Sequence, residues 1–420
     1  MSIHSRGSHP AILALSVALA ACSTPPSPSV APSTSASPSA SEVPSPSGSV
    51  ASGLPAVPAT GLYYPTAEVT ALARPGQLIL YQEIKAPPGA RAWFVVHGST
   101  GLDGKPVAVS GIVLAPEAAP AEGGYPVVAW AHGTTGVADT CAPSRAGLDN
   151  IPAEVLALIT KGYVVTATDY EGLGTAGVHP YLVGISEGRS VLDSIRAVQT
   201  LADAHAGTEA VVIGLSQGGH AALWSAELAP SYAPGLTLLG AFAASPPTDL
   251  VGWETWAFDE AAKGTLDRAA APVLLFGVWN AVYDASLSFL TNEGRQSALA
   301  GRDACEPTPV SSTPYLRDPA KDPVWRNLLA RNSPGLALTG VPIRVVSPTS
   351  DEAVQYDTQV AGVKVMCGIG DTVELRTIAG GHDASMGSPS AWNDVSEWIT
   401  DRFAGVEAVT TCTPGASAAP

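Results

Sequence analysis

From about residue 90 onward, short apolar runs alternate with longer segments of helical spacing. Trp93 to His97 and Val107 to Leu114 read as strands, paired antiparallel across the turn Asp103-Gly104-Lys105. Val127 to Ala131 is a continuous apolar run that stops at His132-Gly133. Ile151 to Thr160 has helical spacing, and Tyr163 to Ala167 follows as a strand. In Ser190 to Ala202, Val191, Ile195, Val198 and Leu201 fall on one helix face. The strand Ala210 to Ile213, a helix after Ser216 and the strand Leu236 to Ala243 come next. Two late strands, Val341 to Val346 and Val373 to Ile378, precede a closing helix over Ala391 to Phe403. Strands alternating with helices predict an α/β chain, with a mostly parallel sheet covered by helices on both faces.

One interval breaks the rhythm. The stretch 246–340, about 95 residues, has no clear strand–helix repeat, yet it holds Trp253, Trp256, Trp279, Trp325, Phe258, Phe276 and Tyr283. A structureless loop of that length is improbable in a compact domain. The stretch is expected to be an inserted, mostly helical cap, which divides the core into 61–245 and 341–410. At the N-terminus, Arg6 precedes an apolar run from Ala11 to Ala21, which suits a signal peptide over 1–21 and is too short to cross a bilayer. Leu19-Ala20-Ala21-Cys22 resembles a bacterial lipoprotein box, so Cys22 is the expected lipidation site; ordinary cleavage at a small residue is the alternative. Residues 22–60, dominated by Ser, Pro and Ala, are expected to be a disordered spacer. The expected location is therefore outside the cytoplasm, as an envelope lipoprotein or a secreted protein touching membrane only through its anchor.

Charge and cysteine content narrow the partners. The 420 residues carry a formal net charge of −16 with no Lys/Arg cluster, which excludes nucleic acid as an expected partner. Besides Cys22 there are Cys141, Cys305, Cys367 and Cys412, an even set that suggests two disulfides in an exported protein. No pair has Cys-x-x-Cys spacing and no histidine cluster accompanies them, so neither a metal nor another cofactor is expected. Four cysteines allow three pairings, which the sequence alone leaves open.

The candidate chemistry begins with a repeated pattern. Gly-x-Ser-x-Gly marks the nucleophile elbow of α/β-hydrolases, where a strand turns into a helix too tightly for side chains at the glycines. It occurs at Gly184 to Gly188 and again at Gly214 to Gly218, and in a chain with 42 glycines chance can supply either. Ser216 follows the buried-strand pattern Ala210-Val211-Val212-Ile213 and precedes a helix opening on Gln217-Gly218-Gly219; Ser186 follows a loop. Ser216 is therefore the expected nucleophile, and Ser186 the start of a helix with Glu187 near its dipole. In this fold the acid and the histidine follow the serine in that order. Of the eight histidines only His220 and His382 lie beyond Ser216, and His220 sits four residues along the elbow helix, where it cannot readily turn back. His382, in the loop after the Val373 to Ile378 strand, is the expected base, and Asp351, at the end of the preceding strand, the expected acid, with Glu352 as fallback. The backbone N–H of Gln217 is the first expected oxyanion donor.

At His132-Gly133-Thr134-Thr135-Gly136, Thr168-Asp169-Tyr170-Glu171-Gly172, Gly214 to Gly219, Thr349-Ser350-Asp351 and Gly381-His382 the chain resembles the secretory lipase family, the lipase A-like α/β-hydrolases with a helical lid. The resemblance spans roughly 61–410. It implies a lid between elbow and acid, a contribution of Asp169 to the oxyanion hole, and the pairings Cys141–Cys305 and Cys367–Cys412. An ionised Asp169 would repel an oxyanion, so that role requires a protonated carboxyl or its backbone N–H; Thr134 is the rival donor. Gln217 departs from the small residue common in fungal members. The expected activity is lipase or carboxylesterase hydrolysis of acyl esters through an acyl-enzyme, by a monomer. A serine peptidase on the same fold and a non-catalytic surface adhesion protein are the alternatives; the set Ser216, Asp351 and His382 argues against the latter.

Overall fold

The computed structural model describes residues 57–58, 65 and 67–413. The expected signal peptide, Cys22 and most of the expected linker lie outside them. Among the described residues the sheet has ten strands: β1 (Val57–Pro58), β2 (Leu78–Ile84), β3 (Ala90–Thr100), β4 (Pro106–Pro116), β5 (Tyr125–Ala131), β6 (Val164–Thr168), β7 (Ala206–Leu215), β8 (Thr237–Ala244), β9 (Ile343–Pro348) and β10 (Val373–Ile378). They run in the order β1-β2-β3-β4-β6-β5-β7-β8-β9-β10. Every pairing from β6 to β10 is parallel, whereas β2, β3, β4 and β6 pair antiparallel in succession. The predicted hairpin is present, with Trp93 opposite Val113 and Val95 opposite Gly111.

Alternation along the central strands decides which helix covers which face. Trp130, Ile213, Phe242 and Val346 point to one side and pack against Trp392, Val395, Trp398 and Ile399 of the C-terminal helix (Pro389–Phe403). Val127, Ala129 and Val212 point to the other side, toward the helices Gly184–Thr200 and Gln217–Tyr232. In chain order the helices are α1 (Ala67–Leu72), α2 (Ala153–Ala157), α3 (Gly184–Thr200), α4 (Gln217–Tyr232), α5 (Leu250–Ala262), α6 (Ala270–Tyr283), α7 (Asn292–Ala300), α8 (Pro323–Asn332), α9 (Tyr356–Ile369) and α10 (Pro389–Phe403). The helix expected over 151–160 is only α2 followed by a 3-10 turn, which Gly162 ends at φ 82°. Helix α3 extends the expected Ser190 to Ala202 helix back to Gly184, and Ser186 lies in its first turn, as expected for the start of a helix.

Between β8 and β9 the chain forms α5 to α8, whose apolar side chains form a cluster with Val137, Tyr181, Leu182, Val183 and Val354 of the flanking loops. Its centre is aromatic: Trp279 and Trp325 stack with centroids 6.2 Å apart, and Phe276 meets Trp325 edge-on at 4.9 Å. Such pairs contribute roughly 0.5–1.5 kcal/mol beyond the area they bury. The disulfides are Cys141–Cys305, from the loop after β5 to the segment after α7, and Cys367–Cys412, from α9 to the C-terminal tail. This is the pairing that the resemblance implies. Among the described residues no helix is long and apolar enough to cross a membrane.

Candidate active site

The ends of β5, β7, β9 and β10 converge where parallel strands deliver their C-terminal residues. Ser216 follows β7 directly and stands at φ 57°, ψ −119°, a strained backbone for a side chain-bearing residue that costs of order 1–3 kcal/mol. The flanking glycines are a matter of space. A Cβ on Gly214 would lie 2.1 Å from the Gly218 carbonyl oxygen, and one on Gly218 would lie 1.9 Å from that of Ala131. The Ser216 N–H donates to Ala244 O at 2.8 Å, which fixes the turn against β8.

His382 lies after β10 and Asp351 after β9, and their loops are joined by the Ser350 N–H donating to Gly380 O at 3.0 Å. His382 Nδ1 is 2.9 Å from both Asp351 carboxylate oxygens, so the proton belongs on Nδ1 and Nε2 is left as an acceptor. The carboxylate is itself held. Its Oδ1 accepts from the Ala353 and Val354 N–H groups at 2.9 and 2.7 Å, and its Oδ2 accepts from Gln359 Nε2 at 2.9 Å. Glu352, the fallback acid, instead accepts from the His382 backbone N–H at 3.1 Å. Burial acts to lower the His382 pKa, but the hydrogen bond and charge of Asp351, with smaller help from Asp383 and Glu352, outweigh it and hold the imidazole above its ordinary value.

Ser216 and His382 line one cavity of about 420 Å³ together with Gly133, Thr134, Gln217, Tyr181 and Leu182. Its other wall comes from the segment between β8 and β9, with Trp253, Asp267, Arg268, Ala270, Ala271 and Leu274. The Trp253 indole donates to Ala353 O at 2.7 Å, anchoring α5 beside the acid loop. The His132-Gly133-Thr134 loop runs past the nucleophile, since a Cβ on Gly133 would lie 3.9 Å from Ser216 Cβ. Among the described residues neither the Gln217 nor the Thr134 backbone N–H donates to a protein group.

Asp169 is placed elsewhere. Its backbone N–H donates to Ser110 O at 2.8 Å, while its carboxyl accepts from Ser110 Oγ at 2.6 Å, from the Ser144 N–H at 3.0 Å and from the Ser144 hydroxyl. Both routes expected for it, side chain and N–H, are thereby occupied inside the core, and it is absent from the cavity wall. Burial pushes its carboxyl above the usual range. The segment Asp169 to Gly172 thus braces the loop after β5 rather than facing the pocket. Ser186 is buried in α3 and donates to a Glu171 carboxylate oxygen.

Three supporting residues have only faint signals in the sequence. Gln359 sits on α9, a helix the apolar pattern does not announce. Ser245, at φ 47° directly after β8, donates to His382 O at 2.7 Å. Glu187, on the buried face of α3, accepts from Gln217 Nε2 at 2.8 Å; its signal was a charge in register with apolar Val191.

The sheet order is that of the α/β-hydrolase fold. The structure of Candida antarctica lipase A in its closed state matches with a TM-score of 0.66 at 21% identity, covering 85% of this chain and 89% of that one, a likeness that concerns the fold. Residues 148–287 match the family model described as secretory lipase. Lipase A of Moesziomyces aphidis is 35% identical over 114 residues, so this chain spans only 24% of that relative's length. A probable inactive lipase of Mycobacterium tuberculosis is 26% identical over 357 residues, 76% of this chain and 75% of that protein. The resemblance to the secretory lipases that the motifs carry is thus shown by the family model and by lipase relatives.

Proposed function

We propose that the protein is a serine ester hydrolase, a lipase or carboxylesterase, in which Ser216, His382 and Asp351 act as nucleophile, base and orienting acid. The observation that carries this reading is the His382–Asp351 contact in a cavity that also holds Ser216 at its strained turn. Ser216 Oγ attacks the ester carbonyl and its proton passes to His382 Nε2. The imidazolium is stabilised by Asp351, and the oxyanion accepts from the Gln217 backbone N–H, with the Thr134 N–H as second donor. Collapse expels the alcohol, protonated by His382, and leaves an acyl-enzyme that water cleaves by the same steps.

We read 246–340 as a cap whose Trp253, Ala270, Ala271 and Leu274 face the acyl chain, a lining that favours apolar acyl groups. Export is supported by the secretory family match, and anchoring through a lipid on Cys22 is the finer expectation; Cys22→Ala would then release the protein from the membrane fraction into the medium.

Because one relative is named a probable inactive lipase, turnover is the decisive measurement. A fluorophosphonate probe should label Ser216, located by peptide mass spectrometry, and block hydrolysis of p-nitrophenyl esters stoichiometrically. Labelling of another serine, or none at all, would refute the assignment. Peptide turnover exceeding ester turnover would favour the peptidase instead.

A further inference from the structure

Behind the elbow runs a chain of buried polar groups that the hydrolytic steps do not use. Glu187 of α3 and His220 of α4 are both fully buried, with Glu187 Oε2 2.7 Å from His220 Nδ1. His220 Nε2 faces Asn332 O at 2.7 Å, an acceptor only, so an Nε2–H donates there, and the Trp224 indole N–H, 3.2 Å from the same carbonyl oxygen, donates to it as well. The other carboxyl oxygen, Oε1, accepts from Gln217 Nε2 at 2.8 Å and from the Leu182 N–H at 3.0 Å. Gln217 Nε2 also donates to His179 Nε2 at 2.9 Å, and burial pushes that imidazole down to about 4, keeping it a neutral acceptor.

Each partner of this pair belongs to a different part of the pocket. Gln217 is the residue after the nucleophile. Leu182, at the unusual φ of 54° for a leucine, lines the cavity. Asn332 ends α8, the last helix of the insertion, and its Oδ1 accepts from the Gly184 N–H at 3.3 Å. Groups this deeply buried are costly without partners, and every one of these contacts reaches the elbow, the pocket wall or the insertion.

Resting on the ester hydrolase reading of Ser216, we propose that Glu187 and His220 are positioning residues: they lock the oxyanion residue Gln217, the wall residue Leu182 and the insertion's Asn332 into a single register. The pair acts through these neighbours and touches no substrate. A hydrogen-bonding role makes shape and polarity matter more than charge. A glutamine at 187 can still accept from Gln217 and Leu182 while its amide donates to His220 Nδ1.

The test compares Glu187→Leu and Glu187→Gln in the full chain, with p-nitrophenyl butyrate turnover, fluorophosphonate labelling rate and circular dichroism. Glu187→Leu should lower kcat by about 10²-fold with KM within about threefold and slow labelling in parallel, as a displaced oxyanion donor would. Glu187→Gln should recover to within about fivefold of the parent. A folded Glu187→Leu protein with near-parental kcat, or a Glu187→Gln protein no better than it, overturns the proposal. Should Glu187→Leu fail to fold, Gln217→Leu keeps the backbone N–H but loses the tether; it should lose about tenfold in kcat, and unchanged kcat overturns the proposal equally. A parent protein that neither labels nor hydrolyses sinks the hydrolase reading and this one with it, whereas a labelled parent with indifferent variants sinks this one alone.

Discussion

Gly184 to Gly188 and Gly214 to Gly218 share one spacing, Gly-x-Ser-x-Gly, and use their glycines for opposite ends. At the elbow both absent side chains make room for backbone: Gly214 against Gly218 O, Gly218 against Ala131 O. Inside α3 they make room for a neighbouring helix. A Cβ on Gly184 would lie 1.9 Å from the Trp224 ring, and one on Gly188 would meet Leu228 Cδ1 and the Trp224 backbone, both at 2.9 Å. Residues four apart share a helix face, so the same pattern that frames a strand-to-helix turn also builds a flat strip for close helix packing. The two are connected, because Trp224 belongs to α4, the helix that begins directly after Ser216. One motif presents a hydroxyl; the other seats the helix behind it. A five-residue match is therefore evidence of close approach, and only the flanking strand says which kind.

The contrast is broken most severely at Ser216. Ser216→Ala should lower kcat/KM for esters by about 10⁴-fold or more while leaving the melting temperature almost unchanged, since the strained φ and the packing persist. Ester kinetics beside a thermal melt decide it; activity within tenfold of the parent removes Ser216 from the chemistry. Asp351→Asn comes next, with an expected loss of about 10³–10⁴-fold from the wrong imidazole tautomer. It also shifts the pH profile in a defined direction. His382 must be neutral to act as base, and its folded pKa lies above 6.5, so kcat/KM in the parent rises with pH through a limb displaced above that value. Removing the Asp351 charge withdraws the largest raising influence, and the limb should move to lower pH; an unmoved limb would show that another group titrates.

Much of this contrast is legible in the sequence because it rests on local pattern. Val127 to Ala131 of β5 and Ala210 to Ile213 of β7 are continuous apolar runs, fully buried, and each leads directly into a loop of the cavity. The expected set Ser216, Asp351 and His382 rests on the order of the triad in this fold and on which strand ends follow the elbow. What escaped is carried by contacts between distant segments. The run Leu78-Ile79-Leu80 of β2 is short and turns polar at once, and α9 holds Val360, Gly362 and Val363, residues that weaken a helical reading. Gly362 is there because a Cβ would lie 2.3 Å from Thr248 Cβ, a fact of packing that no spacing announces. Asp169 differs from what the resemblance implies for the same reason: only the partners Ser110 and Ser144 reveal that its carboxyl is spent inside the core. His220, four residues along α4, points away from Ser216 to Glu187 and to Asn332, the latter more than a hundred residues away.

The packing motif yields to a different perturbation. Gly188→Ala pushes a methyl against Leu228, whose side chain can give, and against the Trp224 backbone, which gives less. Overpacking of this kind costs about 1–3 kcal/mol, so the melting temperature should fall by several degrees. The kcat of the protein that remains folded at 20 °C should stay within about threefold of the parent, because displacement is spread along α4 rather than focused at Ser216. A large kcat loss without a lower melting temperature would mean that the α3–α4 contact sets the elbow geometry directly.

Ser186→Ala carries the smallest expected effect and the cleanest separation of the two serines. Its hydroxyl donates to Glu171 within α3's first turn, and Glu171 is largely buried, with burial raising its pKa and the Ser186 hydrogen bond opposing that rise. Removing the donor leaves the carboxyl with less to favour its ionised form, so a stability loss of about 1 kcal/mol is expected. The sign of its pH dependence follows from the same balance. Because burial raises the folded Glu171 pKa, ionisation at neutral pH works against the fold, and the variant, lacking the compensating donor, should lose more stability at pH 7 than at pH 4. Ester turnover should match the parent throughout that range where both proteins are folded. A loss of turnover comparable to that of Ser216→Ala would place the nucleophile in a helix, at a hydroxyl buried away from the cavity, and would overturn the distinction between the motifs that the backbone at Ser216 supports.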